Sequence, residues 1–309
     1  MSEIFSATVI IGILTSGIRL ATPYLYASIG ETFGQRSGVL NLGVEGQMLL
    51  GAFISFYVAF TTGSLWLGLL GAMLVGALMG LAMAYVTVNL QAEQGISGIG
   101  FYLFGLGMSD LLFKMLLGTV ETVKGFPIAP IPFLSKIPII GDIFFNQNIL
   151  VYIAFLLVPA AWFVLNKTTL GLKIRSVGEN PEAADSVGVS VARVRYFTII
   201  LGGTLSGVAG ASMSIALLNV FQQNMTSGLG FIAVALVYFG AWRAWGVLAG
   251  ALLFSMVNSL QLWMQVLNVP IPSDIAVMLP YLLTIIVLVA TVSRVRAPAA
   301  LTKPFDRGD

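Results

Sequence analysis

The chain lacks two residue types on which much protein chemistry depends. Its 309 residues include no cysteine and no histidine, which excludes disulfides, thiolate nucleophiles and the usual metal ligand and general base. Charged residues make up only 9% of the sequence, whereas soluble domains carry about 25%. Because so few charges cannot cover a surface that faces water, the solvent of this chain must be lipid.

What remains is strongly apolar. Hydrophobic residues make up 58% of the chain, and the mean hydropathy is +0.95. The net charge of +2 is too small to argue for a nucleic-acid partner. Residues 1–3 carry no basic charge, so we expect no cleavable signal peptide. Backbone groups left unpaired in lipid are costly, so the composition predicts an all-α polytopic membrane protein.

The apolar segments are long enough for about nine transmembrane helices, with about eight to ten possible, because one crossing needs about 20 apolar residues. The windows 46–92 and 196–242 are each free of charge over 47 residues, enough for two crossings apiece. Turns are expected inside them near 61–64 and 219–228. The other spans are predicted at 4–26, 97–117, 143–166, 244–273 and 275–292.

Lysine and arginine predict the orientation, because cytoplasmic loops carry an excess of both. The loop 167–195 and the tail 293–309 together hold nine of the 15 basic residues. Both are therefore predicted to be cytoplasmic, with an even number of spans between them, and Arg243 falls on a short inner turn. The proline-rich loop 119–147 is then external. The side of the N-terminus stays open, and residues 1–309 form a single transmembrane domain.

Glycines are spaced for close contact between helices. Pairs four residues apart occur at Gly76 and Gly80, at Gly203 and Gly207, and at Gly246 and Gly250. This spacing lets helix backbones approach closely in lipid. It is common in polytopic proteins, so it predicts tight packing and indicates nothing about a substrate.

Three charged residues fall inside predicted spans. Asp110 and Lys114 lie four apart, so they share one helix face and can pair. We interpret them as a buried ion pair, with a place in a translocation path as the alternative. Arg19 either extends towards the membrane surface along its apolar stem or faces an internal cavity.

The segment 31–52, ETFGQRSGVLNLGVEGQMLLGA, places five glycines and several polar residues inside an apolar run. Such glycines favour a re-entrant or interrupted helix over 30–46, and interrupted helices in transporters expose backbone groups near the midplane. Glu45 is a functional candidate because a carboxylate at membrane depth is expensive. The alternative is a structural role at the inner interface, as a cap or as a partner of Arg36. The candidates for a substrate path are Asn41, Glu45, Gln47 and Asn224.

The segment 171–194, GLKIRSVGENPEAADSVGVSVARV, is the only long run of mixed charge with glycine and proline. Asn180 as a cap and Pro181 at the first helical position predict a short helix. Acidic side chains fall in its first turn, where the helix dipole favours them, and Gly188 ends it. A short amphipathic helix along the inner membrane face is a docking element and not a catalytic one. The alternative is a solvated connector.

Three motifs resemble those of permease subunits of bacterial ABC importers in the branched-chain amino acid/simple sugar permease superfamily, nearest to its nucleoside-type branch. They are SGVLNLGVEGQMLLGA at 37–52, GENPEAA with a later glycine at 178–188, and NMTSGLGFIAVALVYFG at 224–240. They occur in the family's order and span most of the chain. One departure is Ala244, where the family often has proline, so the turn there can differ in geometry.

This resemblance implies a multi-pass permease that imports nucleosides across the bacterial cytoplasmic (inner) membrane. The chain has no glycine-rich Lys-Ser/Thr loop for ATP phosphates, so we expect no catalytic residue, no metal and no cofactor of its own. The implied partners are a cytoplasmic ABC ATPase subunit, a second related permease that makes a heterodimer, and an extracytoplasmic substrate-binding protein. The resemblance assigns coupling to the ATPase to Gly178, Glu179, Asn180, Pro181, Glu182, Ala183, Ala184 and Gly188.

Two alternatives stay open at this stage. Within the family, the substrate could be a simple sugar or a branched-chain amino acid. From another class, an ion-coupled secondary transporter would usually carry more intramembrane acids and a detectable inverted repeat. An intramembrane enzyme is disfavoured, because the chain lacks histidine and a GxGD motif.

Overall fold

The structure is a computed structural model that describes residues 7–267, 278–280, 282–283, 285–286, 289 and 296–306. Within these residues the chain is helical, with two isolated β-bridges and no strand. In this described part of the chain, seven helices are long and apolar enough to cross a membrane. The prediction of an all-α polytopic protein is confirmed.

The α-helices of the described residues lie in chain order as follows: α1 Ala7–Arg36, α2 Val44–Thr62, α3 Leu65–Ala84, α4 Gln94–Leu116, α5 Ile149–Lys167, α6 Thr169–Glu179, α7 Pro181–Ser186, α8 Val191–Ser212, α9 Leu229–Phe239 and α10 Ala244–Val266. Both α3 and α8 continue into a π-helical turn, at Tyr85–Asn89 and Met213–Leu217. The turn predicted near 61–64 is confirmed, with Gly63 in the left-handed region at φ 69° and Ser64 as the cap of α3.

Two predicted spans are wrong in extent. The first span does not end near residue 26, because α1 continues to Arg36. Its last turns are buried inside the protein, which shields the polar side chains there from lipid. The window 196–242 holds one full span and the 11-residue α9, which is about 16 Å long at about 1.5 Å per residue. That is roughly half of the ~30 Å hydrocarbon core. The span predicted at 275–292 lies largely outside the described residues.

The glycine pairs of α3 and α8 pack against each other, as their spacing predicts. A Cβ on Gly203 would lie 2.9 Å from Gly80 Cα, and Gly76 faces Gly203 and Gly207. A Cβ on Gly51 of α2 would lie 2.7 Å from Gly207 Cα. Three helices therefore meet backbone to backbone along one line, which we call the glycine seam.

The chain is broken between α1 and α2, as predicted for 30–46. The helix ends at Arg36, Gly38 adopts φ 92°, and helix resumes at Val44. A Cβ on Gly46 would lie 2.8 Å from Tyr102 Cα, and Tyr102 is eight residues into α4. At the helical rise this is about 12 Å from the start of α4, so α2 begins inside the bundle.

Arg19 and the loop 119–147 meet at the end of the bundle opposite α6 and α7. Arg19 Nε donates to Gln147 Oε1 at 2.8 Å, so the arginine holds this loop and does not extend freely. The backbone N–H of Phe126 donates to Ile215 O at 3.0 Å, and Thr122 forms a β-bridge with Val220. The loop is therefore tied to the end of α8.

The pairing of Asp110 and Lys114 is confirmed, but their burial is not. Lys114 Nζ lies 3.0 Å from Asp110 Oδ2. Both side chains are accessible, at 65% for Lys114 and 34% for Asp110. The interpretation as a buried pair is wrong for this chain, because α4 lies on the outside of the bundle with only its Gly98, Gly105 and Ser109 side well covered.

Candidate functional site

The carboxylate of Glu45 lies where two helices begin. Glu45 is 1% exposed, and its Oε1 accepts hydrogen bonds from Thr226 Oγ1 at 2.5 Å and from the Gly228 backbone N–H at 2.7 Å. Its Oε2 accepts from the Gly230 backbone N–H at 2.5 Å. We call this group of residues the junction.

Local sequence explains why α9 needs this carboxylate. Its N-cap is Gly228, with φ 89° and no side chain to cap the helix. The first N–H groups of a helix have no partner within the helix, and negative charge is stabilising there. Glu45 supplies both from another helix, while it also lies in the first turn of α2.

The structural role considered for Glu45 is therefore half right. It caps a helix, but it does not pair with Arg36, whose Nε donates to the Trp242 backbone oxygen at 2.8 Å. It also lies deeper than the inner interface, because α9 places about 16 Å of helix between Glu45 and the turn at Trp242. The 19-residue α2 and the short α9 thus both begin at Glu45, inside the bundle. Transporters use interrupted helices of this kind around their substrate.

The other candidates of the first motif lie beside Glu45. Asn41 Nδ2 donates to Gln47 Oε1 at 3.2 Å, and Asn41 Oδ1 accepts from the Gly43 backbone N–H at 2.9 Å. Both side chains are buried, and Gln47 Nε2 has no hydrogen-bond partner. The structure brings Asn41, Glu45 and Gln47 together at the break between α1 and α2.

Asn224 does not join them. It lies in a turn at φ 53° and is exposed, although Thr226, two residues later, contacts Glu45. Its backbone oxygen accepts from Ser227 Oγ at 3.0 Å, which holds the turn before α9. In this segment the buried polar contact with Glu45 is made by Thr226 and not by Asn224.

Two buried polar residues of α1 were missed from the sequence. Glu31 Oε1 accepts from the Asn41 backbone N–H at 3.0 Å and from Gln35 Nε2 at 2.9 Å. Gln35 Oε1 in turn accepts from Trp242 Nε1 at 2.8 Å. A chain of buried hydrogen bonds therefore links the break at Asn41 to the turn before α10. The available signal was the spacing of Glu31 and Gln35, which puts both on one helix face.

Residues at the start of α4 also contact the break between α1 and α2. Gln94 Oε1 accepts from the Leu40 backbone N–H at 2.8 Å. The preceding residue, Glu93, caps α4 through the backbone N–H groups of Ile96 and Gly95, which lower the pKa of its carboxyl. The non-helical stretch is thus supported from α4 as well as from α1.

The segment 167–195 contains two helices where one was predicted. Asn180 Oδ1 accepts from the Ala183 backbone N–H at 3.0 Å and Pro181 opens α7, so the predicted cap and start are confirmed. Gly188 follows the helix at φ 85°. The unpredicted helix is α6, whose amphipathic pattern was hidden by its glycines and charges.

The candidate coupling residues divide into an exposed set and a packed set. Glu179, Asn180, Glu182, Ala183 and Gly188 are exposed, Pro181 is half-buried, and Gly178 and Ala184 are buried. Val187 at the end of α7 is 78% exposed, which is unusual for an apolar side chain in a short polar helix.

Gly178 connects α6 to the end of α1. A Cβ there would overlap the Arg36 carbonyl and lie 3.4 Å from the Gly38 backbone nitrogen. The backbone of the tail joins the same two glycines, since Ala300 N donates to Gly178 O at 2.9 Å and Thr302 N donates to Gly38 O at 3.1 Å. Helix α6 therefore packs directly against the end of α1 through Gly178.

Comparison with known proteins identifies relatives that cover nearly the whole chain. A protein named as a candidate glucose ABC transporter permease from Haloferax volcanii is 38% identical, over 96% of this chain and 98% of its own. The guanosine ABC transporter permease NupQ of Bacillus subtilis is 36% identical, over 93% and 94%. The nucleoside ABC transporter permease NupC of Lactococcus lactis is 37% identical, over 91% and 92%. No solved structure matches significantly.

The family comparison agrees with these relatives. Residues 13–288 match the family described as the permease component of branched-chain amino acid transport systems. The match contains the broken helix, the α6–α7 segment and α9, so the resemblance seen in the three motifs is confirmed. The chain belongs to the branched-chain amino acid transport system permease family of ABC transporters.

Proposed function

We propose that this chain is the permease subunit of an ATP-driven importer that carries nucleosides inward across the bacterial cytoplasmic membrane. The observation that carries the proposal is the junction, where polar groups and two helix starts lie inside a membrane bundle. The identity of 36–37% to permeases named for guanosine and nucleosides, over more than nine tenths of the chain, supports the substrate class.

The polarity of the junction favours a neutral solute. The ionisable groups of the junction and of the adjoining break at Asn41 are Glu45 and Glu31, and within the described residues no lysine or arginine donates a hydrogen bond to either. The carboxylate of a branched-chain amino acid would find no counter-ion there. Nucleosides and sugars, by contrast, offer hydroxyl or amide groups that the side-chain amides of Asn41 and Gln47 can bind.

Coupling to ATP hydrolysis uses the α6–α7 segment in this proposal. An ATPase subunit docks on the exposed residues of α7 and pushes α6 when it closes. Gly178 passes that motion to Arg36 and Gly38, which lie on either side of the start of the break. The expected result is a shift of α1 relative to α9 that opens the junction to one side of the membrane.

A second permease subunit is expected against α4. Gly100, Leu103, Gly107, Asp110 and Lys114 follow the spacing of one helix face. A Cβ added to Gly100 or Gly107 would meet nothing within 4 Å, and the ion pair on the same face is accessible. Charge facing lipid is expensive in a membrane span. A partner protein on this face would cover the pair and fill the space above both glycines.

The decisive experiment is uptake by the reconstituted transporter. The chain would be co-expressed with the ATPase, second permease and binding protein of its transporter, then placed in proteoliposomes. ATP-dependent accumulation of radiolabelled guanosine, adenosine or uridine, with none of glucose or leucine, is the expected result. Accumulation of glucose alone would assign the sugar alternative. Accumulation without any ATPase subunit, driven by a proton or sodium gradient, would replace the proposal with a secondary transporter.

A further inference from the structure

A second polar site lies at the end of the bundle that carries α6. A cavity of about 830 Å³ opens between the ends of α1 and α5, helix α6 and the turn before α10. Among the described residues, the lining includes three arginines and three tryptophans and contains no acid. These residues are Arg36, Arg175, Arg243, Trp162, Trp242 and Trp245.

The positive charge of this cavity is not neutralised. In the described part of the chain, the one salt bridge is that between Lys114 and Asp110, so none of the three arginines takes part in one. Arg175 and Arg243 are close enough to Arg36 to repel it, and Glu179 is close enough to attract it. Three guanidinium groups against one carboxylate outside the lining leave an excess of positive charge.

The guanidinium donors are also largely unused. Arg36 donates from Nε to the Trp242 backbone oxygen at 2.8 Å, and Arg175 makes a long bond of 3.4 Å to Gly171 O. Each guanidinium carries five N–H donors in a planar fork that fits two oxygens of a phosphate. The arrangement therefore offers several free donors around one space.

One wall of the cavity is a rigid turn. Ala241 and Trp242 both lie in the left-handed region, at φ 52° and 55°. Such residues cost free energy and persist only where the surroundings hold them. Here the Trp242 backbone N–H donates to Val237 O at 3.0 Å, and Trp242 Nε1 donates to Gln35. The position of the neighbouring Arg243 is thus fixed by the fold.

The tryptophans place the cavity at the surface of the membrane. Trp162 lies near the end of α5 and Trp245 near the start of α10, and the two residues are 37% and 51% exposed. Tryptophan is enriched at the level of lipid headgroups, and basic pockets between membrane helices bind anionic headgroups. Lys167 Nζ lies 5.9 Å from the Trp162 ring centroid and adds a further cation nearby.

We propose that this cavity binds the phosphate group of an anionic phospholipid, with Arg36, Arg175 and Arg243 as its ligands and the exposed tryptophans against its acyl chains. Free inorganic phosphate or a nucleotide shares the headgroup chemistry but has no chains to bury against the rings. A zwitterionic lipid would bring its own cation into the arginine cluster. The bound lipid would join α10 to α1 and α6, the two helices through which coupling passes in the proposed function.

Native mass spectrometry of the intact, detergent-purified transporter tests this site. The complex would be titrated with phosphatidylglycerol, and separately with phosphatidylcholine of the same chains. Phosphatidylglycerol is expected to bind at least tenfold more tightly. The double variant Arg175→Gln/Arg243→Gln should remove this preference. The matched control Arg193→Gln, an exposed arginine at the start of α8 outside the cavity, should keep it.

Further variants and competitors identify the ligand and show whether loss of binding reflects misfolding. The variant Arg175→Lys/Arg243→Lys keeps the charge and should retain most of the phosphatidylglycerol, which shows that loss in the glutamine variant reflects charge. Equal binding of both lipids to wild-type protein, or unchanged binding to the glutamine variant, would overturn the proposal. Displacement of phosphatidylglycerol by equimolar inorganic phosphate or ATP would assign the cavity to a soluble anion instead. Because lipid binding needs no substrate, a failure to import nucleosides would leave this result standing.

Discussion

The glycine seam and the junction are built in opposite ways. In the seam, α2, α3 and α8 meet through glycine backbones, and a single added carbon on Gly203 or Gly207 would overlap the opposite helix. In the junction, α2 and α9 are joined through one side chain, that of Glu45. One contact is extended and permits no substitution, whereas the other is local and depends on three hydrogen bonds.

This difference separates a fixed part of the bundle from a part that can move. Backbone packing of the seam is lost only if whole helices separate, because protein interiors are close-packed and do not deform continuously. A hydrogen bond to a charged group contributes about 1.5–3 kcal/mol, so three of them can be exchanged for contacts with a solute. We infer that α3 and α8 form the scaffold and that α9 shifts during transport.

The largest expected effect is in the seam. Gly203→Leu places a side chain against the backbone of Gly76 and Gly80 in α3. Backbone atoms cannot rotate away as a side chain can. We expect the assembled transporter to disappear from membranes, as measured by fluorescence-detected size-exclusion chromatography. The matched control is Leu74→Phe, which enlarges a side chain of the same helix α3 that is 62% exposed and lies outside the seam. Normal assembly of the Gly203 variant would show that the seam is not the scaffold.

The next effect is in the junction. Glu45→Gln keeps the size of the side chain, but its amide nitrogen is a donor and meets the N–H groups or the hydroxyl that Glu45 now accepts from. We expect nucleoside uptake to fall at least tenfold, since about 1.4 kcal/mol corresponds to a factor of ten, while the complex still assembles.

Two controls interpret that result. Glu121→Gln makes the same change of group in the loop 119–147, where the side chain is exposed and outside the junction, and is expected to leave nucleoside uptake unchanged. Thr226→Val removes the hydroxyl donor to Glu45 without changing the size of the side chain, and should reduce uptake less than Glu45→Gln does. Normal uptake by the Glu45 variant would remove Glu45 from the substrate path.

A smaller effect is expected where the ATPase docks. Gly178→Ala adds a carbon that overlaps the Arg36 carbonyl, and Glu182→Lys reverses a charge on the exposed face of α7. Both should reduce the stimulation of ATP hydrolysis by the loaded binding protein several-fold while basal hydrolysis persists. Ser186→Ala, an exposed change at the far end of α7, serves as the control. Full stimulation in both variants would count against coupling through this segment.

Sequence reasoning succeeded where the determinants are local. The cap at Asn180, the turn at Gly63 and the spacing of Gly203 and Gly207 each act within a few residues or along one helix. It failed where the two residues of a contact lie far apart in the sequence. Thr226 and Glu45 are 181 residues apart, and nothing in either segment indicates that one accepts from the other.

Glu31 and Gln35 were missed because the end of the first span was predicted too early. Ending the first span near residue 26 placed Glu31 and Gln35 in the interrupted segment 30–46 instead of in a continuous helix. Since α1 continues to Arg36, both are buried in a membrane helix and must find partners. The position of a helix end among charged residues depends on what the rest of the chain packs around it, which a single sequence does not show.

The smallest effect concerns the cap of α7. Asn180→Ala removes the acceptor for the Ala183 backbone N–H, which costs about 1 kcal/mol at a helix N-cap. The six-residue α7 has little else to hold its first turn, so it should spend more time unwound. We expect the affinity of the permease for its ATPase subunit to fall about fivefold, as measured by surface plasmon resonance on nanodiscs.

Asn180→Asp is the matched variant, because aspartate caps a helix as well as asparagine does and its charge is favourable at a helix start. It should keep wild-type affinity. If Asp and Ala variants weaken binding equally, Asn180 contacts the ATPase directly and its cap is incidental. If neither does, the rigidity of α7 is unimportant for docking, and the force on α1 must pass through α6 alone, by way of Gly178. The pair of variants therefore separates the helix that receives the motion from the helix that transmits it.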